Sequence, residues 1–364
     1  MHMLQFSCEK TLLQSAVNTA SRTVAAKSSI PALEGLLLEG DEQLTVSGYN
    51  MQTGIRTSFD ADIREGGRIV LNARLFGEII RKMPDDVIVF SADDKLLVRL
   101  SCGDASFEIP GLSAEDYPDL PEVDDEYSVA IQQRTLKAMI NQTSFAVSTN
   151  ESRPVHTGAL FEITDKGLTM VAVDGFRLAV VSVDGFRLAL RREPLERIDG
   201  GAFRFVAPGS ALNEVEKICE DSDSLISIIQ GKRHLLFETG STQLICRRLE
   251  GEFLDYRNAI PRSNPICVQV ETKAMMNSLD RVSVVISEKL KSPVRCLFDV
   301  GRVFLSAKTG AGEAKDICPI DGDGTGLEIG FNNRYLMDAL RYAPAERVKM
   351  ELNTGISPCI ITPV

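Results

Sequence analysis

A threefold internal repeat constrains this chain more than any other feature of its sequence. Each repeat begins with an alternating strand pattern, turns at polar residues and continues as an amphipathic helix. The three repeats start at Leu4, Tyr127 and Ile266, which are 123 and 139 residues apart. Positive residues fall near equivalent places in them, at Lys10, Arg134 and Lys273. Because these spacings are the size of a domain, we expect three copies of one folding unit.

A second pattern recurs once in each third of the chain and supports the same division. It is a strand, a helix, a short polar turn and further strands, beginning at Ile69, Arg204 and Glu328. Asn72 and Asn332 precede two of these helices and are predicted N-caps, while Pro84 and Pro344 end them. Each third is therefore predicted to carry two helices and many short strands, which indicates an α+β fold with helices packed on antiparallel sheet.

Proline-rich junctions place the domain boundaries. The segments beginning at Ala114 and Gly251 are rich in turn-forming residues, so we expect domains at 1–126, 127–258 and 259–364. The acidic run from Asp116 to Glu126 is interpreted as a solvated linker and not as a metal site. The third copy has no counterpart of the strand that closes the first two, so we expect its last strand to be missing.

A short tandem duplication is separate from the large repeat. The segment Val173–Ser182 reads VDGFRLAVVS and is followed at once by Val183–Arg192, VDGFRLALRR, which is identical at seven of ten positions. Asp-Gly between β-rich flanks is a signal for a tight turn. Two successive Asp-Gly turns cannot both occupy one native position, so one copy must be additional.

No catalytic or cofactor-binding motif is present in the sequence. It lacks the nucleophile elbow, the HExxH zinc motif, the phosphate-binding loop and the dinucleotide fingerprint, so we expect a protein that is not an enzyme and binds no cofactor or metal. The eight cysteines stand singly, with three histidines in the chain, and are predicted to be reduced and mostly buried. There is no long apolar segment and no signal-peptide pattern, which favours a cytoplasmic protein without membrane contact.

Charge is distributed unevenly between the predicted helices and the remainder of the chain. The net charge is −11, but the six helix-bearing stretches together carry +7 and everything else −18. If the helices share one face, an acidic protein presents a basic surface to phosphates without reading sequence. The alternative is that Lys and Arg occur there only because they are good helix formers.

Six segments resemble one known family over essentially the whole chain. They are SIPALEGLLLE from Ser29, AEDYPDLP from Ala114, FAVSTNESRPVHTGALFE from Phe145, VAVDGFRLAV from Val171, GEFLDYRNAIP from Gly251 and IGFNNRYLMDALR from Ile329. In this order they resemble the bacterial DNA polymerase III beta subunit, the sliding clamp. The resemblance implies three clamp domains per chain and a head-to-tail homodimeric ring of six domains, with twelve helices lining the hole.

The resemblance also implies a role in DNA replication as a processivity factor. The ring would hold double-stranded DNA by topology and without sequence specificity. Together with helix position, the resemblance gives these candidate DNA-facing residues: Lys10, Arg22, Lys27, Arg81, Lys82, Arg134, Lys137, Asn150, Lys273, Arg281 and Arg341.

The family's partners dock a short apolar peptide between the second and third domains. These partners are the DNA polymerase III catalytic subunit, the clamp loader and other clamp-binding-motif proteins. The matching positions are Arg153, His156, Val173, Gly175, Phe176, Arg177, Leu178, Leu254, Asn258, Ala259 and Pro358. His156 stands where an aliphatic residue is typical and Phe176 where histidine is frequent. The first copy, from Gly175 to Leu178, is preferred over the second, from Gly185 to Leu188, because it keeps the upstream strand in frame.

Self-association in the family joins the first domain to the third domain of the partner chain. By similarity, Arg74, Phe107 and Ile109 would face Val285, Ile286, Glu313 and Asp316. Two other hypotheses remain open from the sequence. One is a hydrolase or transferase on a repeated α+β scaffold that uses Asp174, Asp184 or Asp255 as acid or base. The other is a monomeric peptide-binding scaffold that does not bind DNA.

Overall fold

A computed structural model describes residues 4–124, 126–174, 187–286 and 292–364. The chain divides into two compact units. Unit 1 consists of Met1–Ile140, Gly158–Met170 and Arg192–Glu250, and unit 2 of Asn141–Thr157, Val171–Arg191 and Gly251–Val364.

The first copy of the repeat lies within unit 1 and follows the predicted order of strand, helix, strands, helix and strands. Its elements are β1 (Gln5–Glu9), α1 (Lys10–Ala20), β2 (Gly35–Gly40), β3 (Leu44–Tyr49), β4 (Thr53–Phe59), β5 (Asp62–Glu65), β6 (Gly67–Asn72), α2 (Ala73–Lys82), β7 (Val87–Ala92), β8 (Leu97–Cys102) and β9 (Ala105–Pro110).

The second copy repeats this order. Its elements are β10 (Tyr127–Gln132), α3 (Gln133–Ser144), β11 (Gly158–Thr164), β12 (Gly167–Asp174), β13 (Arg187–Glu193), β14 (Arg197–Asp199), β15 (Phe203–Pro208), α4 (Gly209–Ile218), β16 (Leu225–Gln230), β17 (His234–Thr239) and β18 (Thr242–Arg247). Strands β12 and β13 and helix α3 are each shared between the two units.

The third copy belongs to unit 2 and uses longer strands. A short helix, α5 (Tyr256–Ala259), precedes β19 (Ile266–Glu271), α6 (Thr272–Ser283), β20 (Val294–Thr309), β21 (Gly312–Phe331), α7 (Asn333–Arg341), β22 (Arg347–Leu352) and β23 (Ile360–Pro363). Strands β20 and β21 pair over most of their length, with breaks on either side of Val300, so β21 covers the places of β4, β5 and β6 of the first copy. Two described strands follow α7, whereas three follow α2 and three follow α4.

The sheets are antiparallel, as predicted. Unit 1 holds a five-stranded sheet in the order β5-β1-β7-β8-β9 and a nine-stranded sheet in the order β14-β10-β16-β17-β18-β4-β3-β2-β6. In the second sheet β18 of the second copy pairs with β4 of the first, and the hydroxyls of Thr57 and Thr242 lie 2.9 Å apart at this seam. Unit 2 contains the sheet β20-β21-β19-β22-β23.

Each helix buries one apolar stripe and leaves its other face to solvent. On α1 the buried positions Leu13, Val17 and Ala20 recur every three or four residues, and α1 packs against α2. The same arrangement recurs in the third copy, where Met275 of α6 and Leu336 of α7 enter a core of their own. Because the stripe is apolar, most polar and charged residues of these helices are directed outward.

The first residue of the first helix is buried in all three copies and is tied to the loop after the second helix. The backbone N–H groups of Lys10, Gln133 and Thr272 donate to the carbonyls of Asp86, Ser224 and Glu346, at 3.2, 2.9 and 2.8 Å. These bonds satisfy N–H groups that a helix leaves unpaired at its start. Lys10 is therefore equivalent to Gln133 and Thr272, and Arg134 and Lys273 follow one residue later in their helices, near the equivalent place as expected.

Local signals read from the sequence are confirmed in the structure. The side-chain oxygens of Asn72 and Asn332 accept hydrogen bonds from the N–H groups of Leu75 and Tyr335 and so cap α2 and α7. Six of the eight cysteines are buried thiols, and burial raises the pKa of Cys8 to about 12. Cys267 is exposed and Cys359 half-buried, against the expectation for a buried thiol. None of the described helices combines the length and apolar composition that crossing a membrane requires.

Candidate functional site

Most of the predicted DNA-facing residues are exposed on or beside helices. The exposed ones are Arg22, Lys27, Arg81, Lys82, Arg134, Asn150, Lys273, Arg281 and Arg341. Helix α2 shows why, since its apolar stripe of Phe76, Ile79 and Ile80 is buried and places Arg81 and Lys82 at the solvent side of its last turn. Cations at the end of a helix also interact favourably with the helix dipole.

Two residues of the predicted set do not face solvent. The Lys10 side chain is 9% exposed and its ammonium lies 2.7 Å from a carboxylate oxygen of Asp85, so Lys10 holds the start of α1 in place and is not available to a phosphate. Lys137 is half-buried and donates to the backbone carbonyl of Cys219 at 3.1 Å. The prediction that these lysines face DNA was wrong for Lys10 and is weakened for Lys137, because each ammonium already has a partner within the chain: the Asp85 carboxylate for Lys10 and the Cys219 carbonyl for Lys137.

Four of the exposed arginines have acidic partners within their own unit. These pairs are Arg134 with Asp223 at 2.6 Å, Arg22 with Glu214 at 3.8 Å, Arg281 with Asp316 at 2.5 Å and Arg341 with Asp338 at 3.9 Å. Ion pairs at the surface are weak and screened by salt, so a phosphate can compete with the carboxylate. Within the described ranges, Lys27, Arg81, Lys82 and Lys273 form no ion pair and carry uncompensated charge.

The described residues of the predicted peptide pocket all belong to unit 2. Val173 and His156 are buried, Leu254 and Ala259 are half-buried, and Arg153, Asn258 and Pro358 are exposed. Gly175, Phe176, Arg177 and Leu178 lie outside the described residues, as does Gly185 of the second copy.

His156 is a buried polar residue among these pocket positions. Its ring meets the ring of Phe253 edge to face, with centroids 5.3 Å apart. Burial, and secondarily the charge of Arg153, lowers the pKa of His156, so the neutral imidazole is favoured. A neutral ring in contact with an aromatic side chain can line an apolar groove in place of an aliphatic residue.

A charged cluster beside this region was not identified from the sequence. The Arg187 guanidinium lies 3.3 Å from the carboxylate of Asp174 and 3.1 Å from that of Asp338, and it stacks 4.5 Å from the ring centre of Tyr335. The Tyr335 hydroxyl donates to Asp174 at 3.2 Å. Burial, and next the charge of Asp174, raises the pKa of Tyr335, while Arg187 opposes this rise. The spacing of Tyr335 and Asp338 places them on one face of α7, but no sequence signal names Arg187 as their partner.

The carboxylates proposed as catalytic in the hydrolase hypothesis have structural partners where they are described. Asp174 is paired with Arg187, and Asp255 accepts a hydrogen bond from the side chain of Asn258 at 2.7 Å. Asp184 lies outside the described residues. Among the described residues there is also no group of three or more His, Cys, Asp or Glu side chains that could hold a metal ion.

The predicted subunit-interface residues lie at sheet edges and near them. Arg74 and Phe107 are exposed in unit 1, whereas Ile109 is only 8% exposed and belongs to the core of the first copy. In unit 2, Val285 and Ile286 pack at the margin of the third core. Glu313 pairs with Lys315 at 2.8 Å, and Asp316 pairs with Arg281, which was itself predicted to face DNA.

Two of the open strand edges in the described part of the chain lie at β9 and at the first half of β21. Strand β9 is the end strand of its five-stranded sheet and pairs on one side with β8. The first half of β21, 312–319, pairs with β20, and β19 reaches β21 only at Ile320 and Asp321. Open edges of this kind invite pairing with another strand.

Comparison with known proteins places all three copies in one family. Sequence models of the DNA polymerase III beta subunit match its N-terminal domain at residues 4–121, its central domain at 130–183 and 179–255, and its C-terminal domain at 257–364. The two central matches overlap inside the tandem duplication, as expected if one of its copies is additional to the family's domain.

Curated relatives and solved structures agree with this assignment. The beta sliding clamp of Synechocystis sp. is 31% identical, with 99% of this chain and 96% of that protein covered, and that of Halalkalibacterium halodurans is 30% identical over the same shares. The crystal structure of the Bacillus subtilis DNA polymerase sliding clamp is 26% identical, with a TM-score of 0.89 and 100% and 96% of the two chains covered. The chain therefore belongs to the DNA polymerase III beta subunit family, the bacterial beta sliding clamps.

Proposed function

We infer that two copies of this chain form a ring that encircles duplex DNA, slides along it and tethers the replicative polymerase for processive synthesis. The clamp carries out no chemistry of its own, which agrees with the absence of a catalytic motif from the sequence. The observation that supports this function most directly is the pairing of β18 with β4, because it joins one copy of the repeat to the next edge to edge.

The same pairing indicates how a second chain is joined. Strand β18 closes the second copy, and its counterpart in the first copy is β9, which has an open edge. Strand β4 pairs with β3 and β18, and its counterpart in the third copy is the first half of β21, which is also open. We therefore propose that β9 of one chain pairs with β21 of its partner, with Arg74 and Phe107 facing Val285, Ile286, Glu313 and Asp316. Two such junctions close a head-to-tail dimer and leave neither edge exposed.

The helices are proposed to face the DNA with their polar sides. Lys27, Arg81, Lys82 and Lys273 are the primary phosphate contacts, since they are exposed and carry uncompensated charge. A second group exchanges an acidic partner for a phosphate or contributes polar contacts: Arg22, Arg134, Asn150, Arg281 and Arg341. Weak and exchangeable contacts suit sliding, because the ring holds the duplex by topology and strong contacts would only add friction.

Partner proteins are proposed to dock an apolar peptide at the positions assigned from the resemblance. Among the described residues these are Arg153, His156, Val173, Leu254, Asn258, Ala259 and Pro358. The polymerase catalytic subunit, the clamp loader and other proteins with a clamp-binding motif would share this site. Buried apolar anchors ringed by a few polar groups are typical of peptide recognition.

The remaining assignments are proposals of the same kind. We place the domains at 1–126, 127–258 and 259–364, and the protein in the cytoplasm, where bacterial replication occurs. In the monomeric scaffold hypothesis the edges of β9 and β21 stay unpaired, whereas the proposed ring pairs them with each other.

Topological retention on DNA provides the test. The protein is loaded by a clamp loader on nicked circular plasmid, separated by gel filtration, and the plasmid is then linearised. A ring stays on the circle and slides off the linear product within minutes, and light scattering gives a mass near twice 39.9 kDa. Equal retention on circular and linear DNA, or a monomeric mass, would contradict the proposed function.

A further inference from the structure

The tandem duplication offers two arginines for one place in the fold. Each copy contains the sequence Asp-Gly-Phe-Arg, so Asp174 is three residues before Arg177 and Asp184 three residues before Arg187. The structure pairs Asp174 of the first copy with Arg187 of the second, thirteen residues apart. The cluster is thus a hybrid of the two copies.

Arg187 occupies a largely buried position at the centre of this cluster. Its side chain is 11% exposed and lies between the carboxylates of Asp174 and Asp338, which are 16% and 14% exposed. One guanidinium thereby neutralises charge on two segments that are far apart in sequence, the end of β12 and helix α7. Its flat face also packs on Tyr335, a contact that the planar guanidinium makes better than an ammonium.

Continuity of the strands explains why the arginine comes from the second copy. Upstream, Ala172 and Val173 are buried in β12, which ends at Asp174 within the first copy. Downstream, β13 begins at Arg187, and three residues separate it from β14. If Arg177 took this place, ten extra residues would have to fit between those two strands. Additional residues cost least between the two strands of a hairpin, because loop entropy grows slowly with length.

We propose that Arg187, and not Arg177, is the positioning residue of the partner pocket. Arg187 holds Tyr335 and Asp338 of α7 against Asp174, the direct neighbour of the pocket residue Val173. This assignment rests on the proposed function only in so far as the pocket binds a partner peptide. It replaces the expectation that the first copy supplies the arginine.

Two pairs of matched variants test the assignment. Arg187→Ala is compared with Arg177→Ala, and Asp174→Asn with Asp184→Asn, because each pair changes the same tetrapeptide in the two copies. The first readout is the Tyr335 ring, followed by NMR of ¹³C-labelled tyrosine and assigned with Tyr335→Phe among the six tyrosines. Arg187→Ala should shift this signal and raise the pKa of Tyr335, since a nearby cation is lost, whereas Arg177→Ala should change neither.

The second readout is peptide affinity. A fluorescent synthetic peptide carrying the clamp-binding motif of the polymerase catalytic subunit is titrated against each variant. We expect Arg187→Ala and Asp174→Asn to raise Kd by about tenfold, and Arg177→Ala and Asp184→Asn by less than about twofold. Arg187→Lys keeps the charge and loses the stack, so it should recover only part of the affinity.

The outcomes separate this assignment from the proposed function. If the unaltered chain does not bind the peptide but the Tyr335 signal responds only to Arg187, the pocket role of Arg187 is overturned, and only its place in the cluster with Asp174 and Tyr335 is supported. If the Tyr335 signal responds to Arg177→Ala and not to Arg187→Ala, the assignment is overturned. If Arg187→Ala does not fold, two double-mutant cycles decide instead, Arg187→Lys with Asp174→Asn and Arg187→Lys with Asp184→Asn. Coupling in the first cycle supports the assignment, and coupling in the second cycle alone refutes it.

Discussion

Reversing the charge of Arg81 and Lys82 at the end of α2 should roughly halve the salt dependence of DNA binding by the ring. Arg81 and Lys82 are exposed in the last turn of α2. Together with Lys27 and Lys273 they are the four exposed cations of the candidate DNA-facing set that lack an ion pair in the described residues. A dimer therefore presents up to eight such charges. At about 0.9 per neutralised phosphate, the slope of log K against log salt is at most about −7, and about −4 after Arg81→Glu and Lys82→Glu.

The assay is the equilibrium binding of the unloaded clamp to a short linear duplex, followed by fluorescence anisotropy over a series of salt concentrations. The double reversal also opposes the dipole of α2, so we expect it to cost about 1 to 2 kcal/mol of stability, and circular dichroism should still show a folded protein. The matched control is Lys10→Met, which removes a cation that is buried against Asp85. An unchanged slope in the double variant, or an equal loss of slope in Lys10→Met, would refute the reasoning.

Three further predictions concern the subunit edge, the pocket and the helix start. Phe107→Asp should convert the dimer to a folded monomer, as measured by sedimentation velocity. Ile109→Ala removes a core side chain and should lower the stability of the first domain by about 2 to 5 kcal/mol. A dimer unaffected by Phe107→Asp would contradict the proposed edge. Burial lowers the pKa of His156 in the folded protein, so its contribution to stability is complete above the ordinary histidine pKa and is lost as pH falls from that value through the lowered one. His156→Leu should therefore reduce the acid-induced drop in melting temperature that begins below about pH 6.5. An identical pH profile in this variant would exclude the effect. Asp85→Asn should lower the free energy of unfolding in urea by about 1 kcal/mol more than Lys10→Met does, because Asp85→Asn leaves the buried Lys10 ammonium unpaired and Lys10→Met removes it. A larger loss of stability in Lys10→Met would contradict the pair of Lys10 with Asp85.

The subunit edge illustrates how far a periodic pattern can be read. Phe107 and Ile109 are two residues apart on β9 and therefore share one face, and the family resemblance places both at the subunit interface. In the structure Ile109 is 8% exposed and Phe107 is 38% exposed, because the core covers one end of the strand more than the other. The period of a strand determines the face of a residue but not how far the core extends beneath it.

Sequence alone determined the features that depend on near neighbours along the chain. The threefold repeat, the helix starts at Asn72 and Asn332 and the strand-rich α+β character follow from patterns within a few residues, and the family follows from motifs that are linear in the sequence. Tertiary structure alone decided the pairings between distant residues, such as Lys10 with Asp85 and Arg187 with Asp174 and Asp338. Two identical tetrapeptides have identical local preferences, so only the strands on either side of them, and the helix against which the arginine packs, select which copy is used.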